Sequence, residues 1–262
     1  MRLYAPLWLV LTLLLGPDSP RNPQSVLFQT SFAPSEGWNT DARQIGTGCG
    51  SGFGGKQPGI SDNGGWNTGG RCDEVIAGAN NPSGLGGRGF RHWRGDGQNA
   101  NGGGMTIKLA TESSEVYVRV MIRYQAGFRW ANNAPGYIKD LYWGACGSGC
   151  VIMGYVDGGW SINYDNVDNH VSSLTWKALQ GGLTGDGQFH CFEYHVRRGS
   201  PGRVELRVDG KSYLSKSANL GRATMGQFML GENQYNPSNG NAHYTDYDDL
   251  VVSGTGWVGC GV

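Results

Sequence analysis

The amino-acid sequence predicts an all-β protein built as a sandwich of two antiparallel sheets, and three observations support this fold class. Short runs with strand composition recur along the chain, each bounded by Gly, Asn, Asp or Pro. Glycine accounts for 46 of the 262 residues and follows no period, which suits a chain with many turns. No helix of convincing length is predicted, and many short strands at this spacing are typical of a sandwich.

The predicted strands run from residue 26 to residue 254 without an internal repeat or an interior linker, so we expect a single domain over residues 25–262. Asp209-Gly210 is a strong hairpin signal that returns its strand directly into KSYLSK. The runs are VLFQTSFAP (26–34), GFRHWR (89–94), GMTIKLA (104–110), EVYVRVMIRY (115–124), YIKDLYWGA (137–145), CVIMGYV (150–156), WSINYD (160–165), FHCFEYHVRR (189–198), RVELRVDGK (203–211), QFMLGE (227–232) and DYDDLVVSG (246–254).

Alternation along a strand decides which side chains share a face. In EVYVRVMIRY the apolar row is Val116, Val118, Val120 and Ile122, and the opposite row is Tyr117, Arg119, Met121 and Arg123. Two arginines beside an aromatic ring on a non-core face suit a ligand surface, and a solvated face with cross-strand ion pairs gives the same pattern. The other predicted rows are His190, Phe192, Tyr194 and Val196, opposite Glu193, His195 and Arg197; Tyr137, Lys139, Leu141 and Trp143; and Phe90, His92 and Arg94.

The N-terminus has the pattern of a secretory signal peptide. Met1-Arg2 is followed by an apolar run at residues 7–15 and by Gly16-Pro17-Asp18. We assign residues 1–24 to this signal and a Pro-rich spacer, and we expect a secreted, extracellular protein that has no membrane contact once the signal is removed. A transmembrane anchor is the alternative, but the run is shorter than the roughly 18 apolar residues that suggest a span.

The six cysteines agree with an oxidising compartment, where an even number usually forms disulfides. Cys146 and Cys150 are close enough to close a small hairpin loop. Cys49 and Cys72 flank a Gly-rich segment, and Cys191 could tie the C-terminal Cys260 to a strand. A zinc site is the competing interpretation, but no CxxC or HxxxH spacing supports it.

The overall charge excludes two classes of partner. Lys plus Arg total 21 and Asp plus Glu total 21, so the formal net charge is zero. No general attraction to nucleic acid or to an anionic membrane is expected, and a charged ligand must be held by local groups. Nine Trp and twelve Tyr residues argue against disorder.

Four segments together resemble the concanavalin A-like lectin/glucanase superfamily, and within it the secreted domains related to jelly-roll polysaccharide lyases. They are LFQTSFAPSEGW, EVYVRVMIRYQAGFRW, GQFHCFEYHVRRGSPGRVELRVDGK and YTDYDDLVVSGTGWVG, and the resemblance covers roughly residues 26–259. It implies a jelly-roll sandwich of two antiparallel sheets with a concave face that holds an extended glycan. It does not imply catalysis, because the superfamily includes lectins, hydrolases, lyases and inert modules.

The site chemistry argues against one of these activities. A retaining glycan hydrolase needs two carboxylates about 5 Å apart. In the glucanase branch both come from one Glu-x-Asp-x-x-Glu strand, and no such strand occurs here. A polysaccharide lyase needs a cation or amide on the uronate carboxylate, a base for the neighbouring proton and an acid for the leaving oxygen.

Residue types for a lyase are present, although the Arg-Thr-Glu-x-Arg lyase motif is absent. Arg119 and Arg123 are the candidates that hold the carboxylate, beside Tyr117. The candidate bases are Lys139, His92 and His195, and the candidate acids are Tyr137, Tyr155 and Tyr164, the last of which could also bind substrate. The aromatic residues that could stack on sugars are Trp93, Trp130, Tyr142, Trp143 and Trp160, each of which could equally be a core residue.

Three further features concern metal binding, cell adhesion and glycosylation. No cofactor is required; calcium could bind the Asp and Asn oxygens of NYDNVDNH and DYDD, but the spacing fits no defined calcium loop and turn formation is favoured. Arg94-Gly95-Asp96 is interpreted as a strand end that runs into a turn rather than as an adhesion motif. No Asn-x-Ser/Thr acceptor with a non-Pro middle residue is present, so N-glycosylation is not expected.

The sequence therefore predicts a secreted, monomeric, carbohydrate-active jelly roll that binds an extended, acidic polysaccharide on its concave sheet, with cleavage by β-elimination as a possible activity. The alternative is a glycan-binding, lectin-like or surface-structural module without turnover.

Overall fold

The structure, a computed structural model, describes residues 25–38, 60–62, 73–94, 105–127, 138–143, 150–156, 159–166, 171–180, 185–222, 224–231 and 243–261. Their strands form two antiparallel sheets, which confirms the predicted all-β class and the jelly-roll sandwich. Helical structure in these residues is limited to two single 3₁₀ turns, Pro34–Glu36 and Ala77–Ala79. None of the helices in the described ranges has the length and apolar character needed to cross a membrane.

Fifteen strands are described, and most coincide with the predicted runs. They are β1 Val26–Thr30, β2 Ile60–Asp62, β3 Glu74–Ile76, β4 Gly89–Arg94, β5 Met105–Ser113, β6 Glu115–Tyr124, β7 Ile138–Trp143, β8 Cys150–Val156, β9 Gly159–Asn166, β10 Val171–Gln180, β11 Phe189–Arg197, β12 Gly202–Val208, β13 Lys211–Ala218, β14 Met225–Leu230 and β15 His243–Ser253.

The chain passes repeatedly between the two sheets. The eight-stranded sheet has the order β13-β12-β11-β6-β15-β4-β3, and β1 also pairs with β15. The seven-stranded sheet has the order β10-β9-β8-β7-β14-β5-β2. β15 is central to the first sheet, because β6 lies along one side of it and β4 and β1 lie in succession along the other.

The period-two rows predicted for β6 are confirmed. Val116, Val118, Val120 and Ile122 are buried between the sheets, and the alternating residues are partly exposed on the outward face. Burying one such side chain contributes roughly 1.5–3 kcal/mol, so this row alone orients the strand. A one-residue slip would move the whole row to solvent.

The β11 row is confirmed except at its first residue. Phe192, Tyr194 and Val196 belong to the core. His190 does not, because it lies at the strand end with Nδ1 2.7 Å from Asp209 and Nε2 2.9 Å from Asp186. The predicted hairpin after β12 is also confirmed: Asp209 and Gly210 both have positive φ, 49° and 75°, as a two-residue type I′ turn requires.

Trp143 is a core residue rather than part of a surface groove. Its side chain is 1% exposed and packs on Phe228 of the neighbouring strand, with ring centroids 4.7 Å apart. The next residue back, Tyr142, belongs to a separate cluster with Met229, away from the core. Trp143 therefore contributes packing energy and no surface to a glycan.

A β-bulge interrupts β7 at Asp140. Lys139 pairs with Gly154 and Leu141 with Met153, so Asp140 is one extra residue on its strand. Both Asp140 and Leu141 are buried. The bulge therefore interrupts the predicted row of Tyr137, Lys139, Leu141 and Trp143. The alternation holds for Trp143 and Leu141 and does not extend to Lys139.

Candidate functional site

The outward face of the eight-stranded sheet carries an arginine pair that encloses a buried carboxylate. Arg91 donates to Asp246 through Nε (2.7 Å) and Nη2 (2.9 Å), and Arg123 donates to it through Nε (3.0 Å) and Nη2 (2.5 Å). Both Nη2 groups also donate to the Gly78 carbonyl. The donors of Arg123 thus bind Asp246 of its own sheet and the Gly78 carbonyl. The contact with Asp246 is cross-strand ion pairing, and it does not form a site for a uronate carboxylate.

Arg119 is placed differently from Arg123, although both lie in the same outward row. It pairs in register with Glu193 on one side and Val251 on the other. Its buried Nε has no hydrogen-bond partner in the described ranges. The side chain lines a cavity of about 200 Å³ beside β1 and β15.

His195 forms the centre of a second cluster on this face. Its Nδ1 lies 2.7 Å from Glu205 and its Nε2 lies 2.6 Å from Glu115. The Tyr117 ring stacks on it at a centroid distance of 4.2 Å and an interplanar angle of 5°. Each ring nitrogen faces a carboxylate, so neither nitrogen is directed at a ligand.

The same cluster makes the hydroxyl of Tyr117 unsuited to act as a general acid or base at neutral pH. Burial, together with the hydrogen bond that its hydroxyl donates to Glu115, raises the pKa of Tyr117 to about 12. The hydrogen bond from Arg203, with that from His195, lowers the pKa of Glu205 to about 2. These groups form a fixed ion-pair network, which is a structural role.

Residues 254–261 cross this face and cover the cluster. The Trp257 ring packs edge-on against Tyr117 and His195, and the guanidinium of Arg207 lies 3.7 Å from its centroid. Further along, the Gly259 N–H donates to Glu193 at 2.7 Å. The centre of the eight-stranded sheet is therefore closed to an extended ligand.

A disulfide fixes this C-terminal segment to β11. Cys191 and Cys260 are bonded, with Cα atoms 5.8 Å apart, as the sequence allowed. Cys49, Cys72 and Cys146 lie outside the described residues, and so does the side chain of Cys150. Their predicted pairings stay predictions.

His92 does not face the arginines. It is fully buried on the inner face of β4, where its ring lies 6.5 Å from that of Phe90, and its Nδ1 is 2.9 Å from both Asp73 oxygens. A Cβ placed on Gly231, at the end of β14, would approach the ring to 2.7 Å. His92 thus lies between the sheets and not on the outward face that carries Arg119 and Arg123.

A buried carboxylate that sequence reasoning missed lies in the same interlayer. Asp140 accepts hydrogen bonds from the hydroxyls of Tyr124 (2.9 Å) and Tyr247 (3.0 Å). Burial, with the Asp140 charge, raises the pKa of Tyr194 well above its usual value. Tyr124 was the sequence signal for this buried carboxylate. It continues the apolar row of β6, and the hydroxyl of a buried tyrosine needs a hydrogen-bond partner.

The remaining candidates belong to the seven-stranded sheet. In the register, Lys139 lies opposite Gly154, Tyr155 opposite Trp160 and Tyr164 opposite Val151, so they occupy the three adjacent strands β7, β8 and β9. The side chains of these residues, and all of Tyr137 and Trp130, lie outside the described parts of the chain.

The predicted site residues consequently divide between two sheets. Arg119, Arg123, Tyr117 and His195 lie on the outward face of one sheet, whereas Lys139, Tyr155 and Tyr164 lie on strands of the other. Because the outward face of the eight-stranded sheet points away from its partner sheet, Arg119 and Lys139 do not line one cleft.

The described residues of DYDD do not fit a calcium site. Asp246 is bound by arginines, Asp248 accepts the backbone N–H groups of Asn81 and Asp249 at 2.7 Å, and Asp249 accepts from Asn81 Nδ2 at 2.9 Å. The donors on Asp246 and Asp248 occupy lone pairs that a cation would need, and Asp249 alone supplies far fewer oxygens than the roughly six to eight that calcium takes. Within the described ranges, no group of three or more His, Cys, Asp or Glu residues is arranged to hold a metal. The side chains of NYDNVDNH lie outside those ranges.

Comparison with known proteins supports the fold alone. No family model and no curated protein sequence matches the chain. Among solved structures, the endo-β-1,4-glucuronan lyase from the fungus Trichoderma reesei matches with a TM-score of 0.52 at 10% identity, over 82% of this chain and 96% of that one. The cellulose-induced protein Cip1 matches with a TM-score of 0.51 at 18% identity, over 77% of this chain and 93% of that one.

Proposed function

We propose that this protein binds an extended polysaccharide along the outward face of its seven-stranded sheet. The observation that carries the proposal is the closure of the other sheet, whose outward centre is covered by residues 254–261 and filled by ion pairs. The likeness to a glucuronan lyase and to Cip1 supports a carbohydrate ligand by fold analogy.

Residues on this sheet supply the chemistry that the proposal needs. Tyr142 and Met229 are Cα partners that form a cluster on the non-core side. Lys139, on the strand that carries Tyr142, is the predicted base. Tyr142 is 7% exposed, so its ring offers only a small part of its surface to a sugar, and the side chain of Lys139 lies outside the described residues.

A β-elimination on this face would proceed in balanced steps. A base takes the proton from the carbon next to the uronate carboxylate, the electron pair forms a carbon–carbon double bond, and the glycosidic carbon–oxygen bond breaks. The leaving oxygen then takes up a proton from an acid. Lys139 is the base in this proposal, and Tyr137 or Tyr155 is the acid. Binding without turnover is the second candidate function.

A panel experiment separates these two functions. The full chain is passed over immobilised uronic-acid polysaccharides and neutral controls, and the same glycans are incubated with it while ultraviolet absorbance reports unsaturated ends. Retention with rising absorbance supports the lyase, and retention without absorbance supports binding alone. If no glycan is retained and no absorbance develops, the proposed function is wrong.

Two variants then test the choice of sheet. We expect Lys139→Ala and Tyr142→Ala to reduce retention on the acidic glycan by about tenfold each, because each removes one group of the proposed face. Arg119→Ala, on the outward face of the other sheet, is the control that keeps retention. The reverse pattern would place the ligand on the eight-stranded sheet.

A further inference from the structure

A recess lies on the opposite side of the molecule from the proposed glycan face. Its volume is about 200 Å³, below the roughly 300 Å³ at which drug-sized pockets begin, and it has the size for a single sugar ring. It opens where β1, β6 and β15 meet on the outward face of the eight-stranded sheet. Its lining residues are Gln29, Thr30, Ser31, Glu36, Leu85, Arg119, Asp249, Leu250 and Val251.

Residues 81–87 form one wall of the recess, and hydrogen bonds and close glycine contacts hold this wall in place. Asn81 donates to Asp249 through Nδ2 (2.9 Å), and the Leu85 N–H donates to the other oxygen of the same carboxylate (3.3 Å). A Cβ on Gly84 would lie 1.9 Å from Asp249 Oδ2, and one on Gly86 would lie 2.1 Å from a backbone oxygen. Only glycine allows this close approach, so the wall is preformed.

One carboxylate of the recess is already saturated. Glu36 Oε1 accepts from the N–H (3.1 Å) and hydroxyl (2.7 Å) of Ser31, and Oε2 accepts from Thr30 Oγ1 (2.5 Å) and Trp38 Nε1 (3.1 Å). Burial raises the pKa of Glu36, but these hydrogen bonds outweigh it and the net shift is downward. Glu36 contributes a fixed negative charge and no spare lone pair.

Two other charged groups remain able to bond. Each oxygen of Asp249 accepts one hydrogen bond in the described residues, which leaves each with acceptor capacity. The guanidinium of Arg119 has a buried Nε–H without a partner in the part of the chain that the structure describes. A donor and an acceptor of opposite charge therefore line the same small recess.

The charges select the class of ligand. Arg119 contributes one positive charge, whereas Glu36 and Asp249 contribute two negative charges, so the recess carries a net negative charge and disfavours a uronate, phosphate or sulfate. A guanidinium donates hydrogen bonds and a carboxylate beside it accepts them. Together they complement two neighbouring sugar hydroxyls, which can both accept and donate hydrogen bonds. Leu85, 68% exposed, offers an apolar contact for the C–H face of a sugar.

We propose that this recess is a second carbohydrate site, which holds one neutral sugar unit through two adjacent hydroxyls bonded to Arg119 and Asp249. The site lies on a different sheet from the proposed polysaccharide face and involves none of its residues. A chain that binds an acidic polysaccharide on one sheet would thus hold a neutral terminal or branch sugar on the other. The two proposals can fail separately.

The test uses the full chain with monosaccharide probes. Saturation-transfer NMR is recorded with the methyl glycosides of glucose, galactose, mannose and xylose, and with sodium glucuronate. We expect signal from at least one neutral glycoside and none from glucuronate. Arg119→Met should weaken the neutral signal at least about tenfold, because it removes a charged hydrogen-bond donor, and Leu85→Ala should weaken it about threefold.

Matched controls show whether the loss of signal is specific to the recess. Arg207→Met changes the same residue type on the same sheet outside the recess, and it should leave the signal unchanged. Retention on the acidic polysaccharide should survive Arg119→Met. The proposal is overturned if no neutral glycoside binds, if glucuronate binds more strongly, if Arg119→Met and Arg207→Met behave alike, or if calcium chloride alone displaces the sugar.

Discussion

Arg123 donates to Asp246 through both Nε and Nη2, so an arginine that the sequence offers to a ligand is tied to a carboxylate of its own sheet. The two residues are Cα partners across β6 and β15, and Asp246 has no exposed side-chain surface. Arg91 completes the arrangement from β4. This three-strand contact holds the middle of the sheet together.

Replacing Asp246 should destabilise the fold strongly. Asp246→Ala leaves Arg91 and Arg123 side by side without their shared partner, and removing one member of a buried ion pair costs about 3–5 kcal/mol. Urea denaturation measures the loss as a change in the free energy of unfolding. Asp186→Asn, in a partly exposed turn, is the control expected to change it by less than about 1 kcal/mol. Equal effects of the two variants would contradict the structural role of Asp246.

Asp248 should make stability fall as pH rises. Burial, with the charge of Asp249, raises its pKa from 3.8 to about 8, although two backbone N–H groups act against this. The folded chain therefore binds the proton more tightly than the unfolded chain. The associated stability is complete below the unfolded pKa near 3.8 and is lost as pH rises towards about 8.

The variant Asp248→Asn isolates this effect. Its free energy of unfolding should depend less on pH than that of the parent chain between about pH 4 and pH 8. Thermal melts in a series of buffers at constant ionic strength provide the measurement. Parallel curves for the two proteins would show that Asp248 has no raised pKa.

Calcium can be tested on the same segment. Because N–H donors hold each described carboxylate of DYDD, we expect calcium chloride to leave the melting temperature at pH 8 unchanged. A rise in melting temperature that Asp248→Asn abolishes would identify a calcium site there. A rise that this variant keeps would point to other oxygen ligands, such as those of NYDNVDNH.

Glu205 should protect the fold against acid. The hydrogen bond from Arg203, with that from His195, lowers its pKa from 4.5 to about 2. This contribution to stability is present above the unfolded pKa near 4.5 and is lost as pH falls towards about 2. Glu205→Gln should therefore flatten the loss of stability over this range. A variant that loses stability with acid as steeply as the parent would contradict the network.

The disulfide should hold the C-terminal segment in place. Cys191 and Cys260 are separated by 69 residues, and closing a loop of that length usually contributes about 2–4 kcal/mol. We expect a Cys191→Ser, Cys260→Ser double variant to lose stability by that amount and to expose Trp257, whose fluorescence should shift to the red. Unchanged emission would mean that packing alone keeps the segment on the sheet.

Much of the fold could be predicted from local pattern. β6 has the predicted bounds because its apolar residues alternate, and β8 has them because turn residues flank a short apolar run. The sequence did not reveal β2 or β3, which have three residues each and too little length for a period. β10, VSSLTWKALQ, was also missed because polar and apolar residues do not alternate strictly in it.

The candidate site was less predictable, since residue type and strand position do not specify a partner. Arg119 and Arg123 occupy equivalent places in one row, yet one is bound to Asp246 and the other lines a cavity. His92 was placed correctly in a row with Phe90, but its burial depended on Asp73 and on the approach of β14. Such partners come from distant parts of the chain.

The sequence by itself determined the strands, the faces of β6 and β4 and the Asp209-Gly210 turn, because these follow from a two-residue period and from local backbone preference. The tertiary structure alone decided which polar groups meet. It assigned the arginines and Lys139 to different sheets, turned Asp140 inward through a bulge and drew residues 254–261 over His195. Those contacts join residues far apart in sequence, and only the packing of the two sheets fixes them.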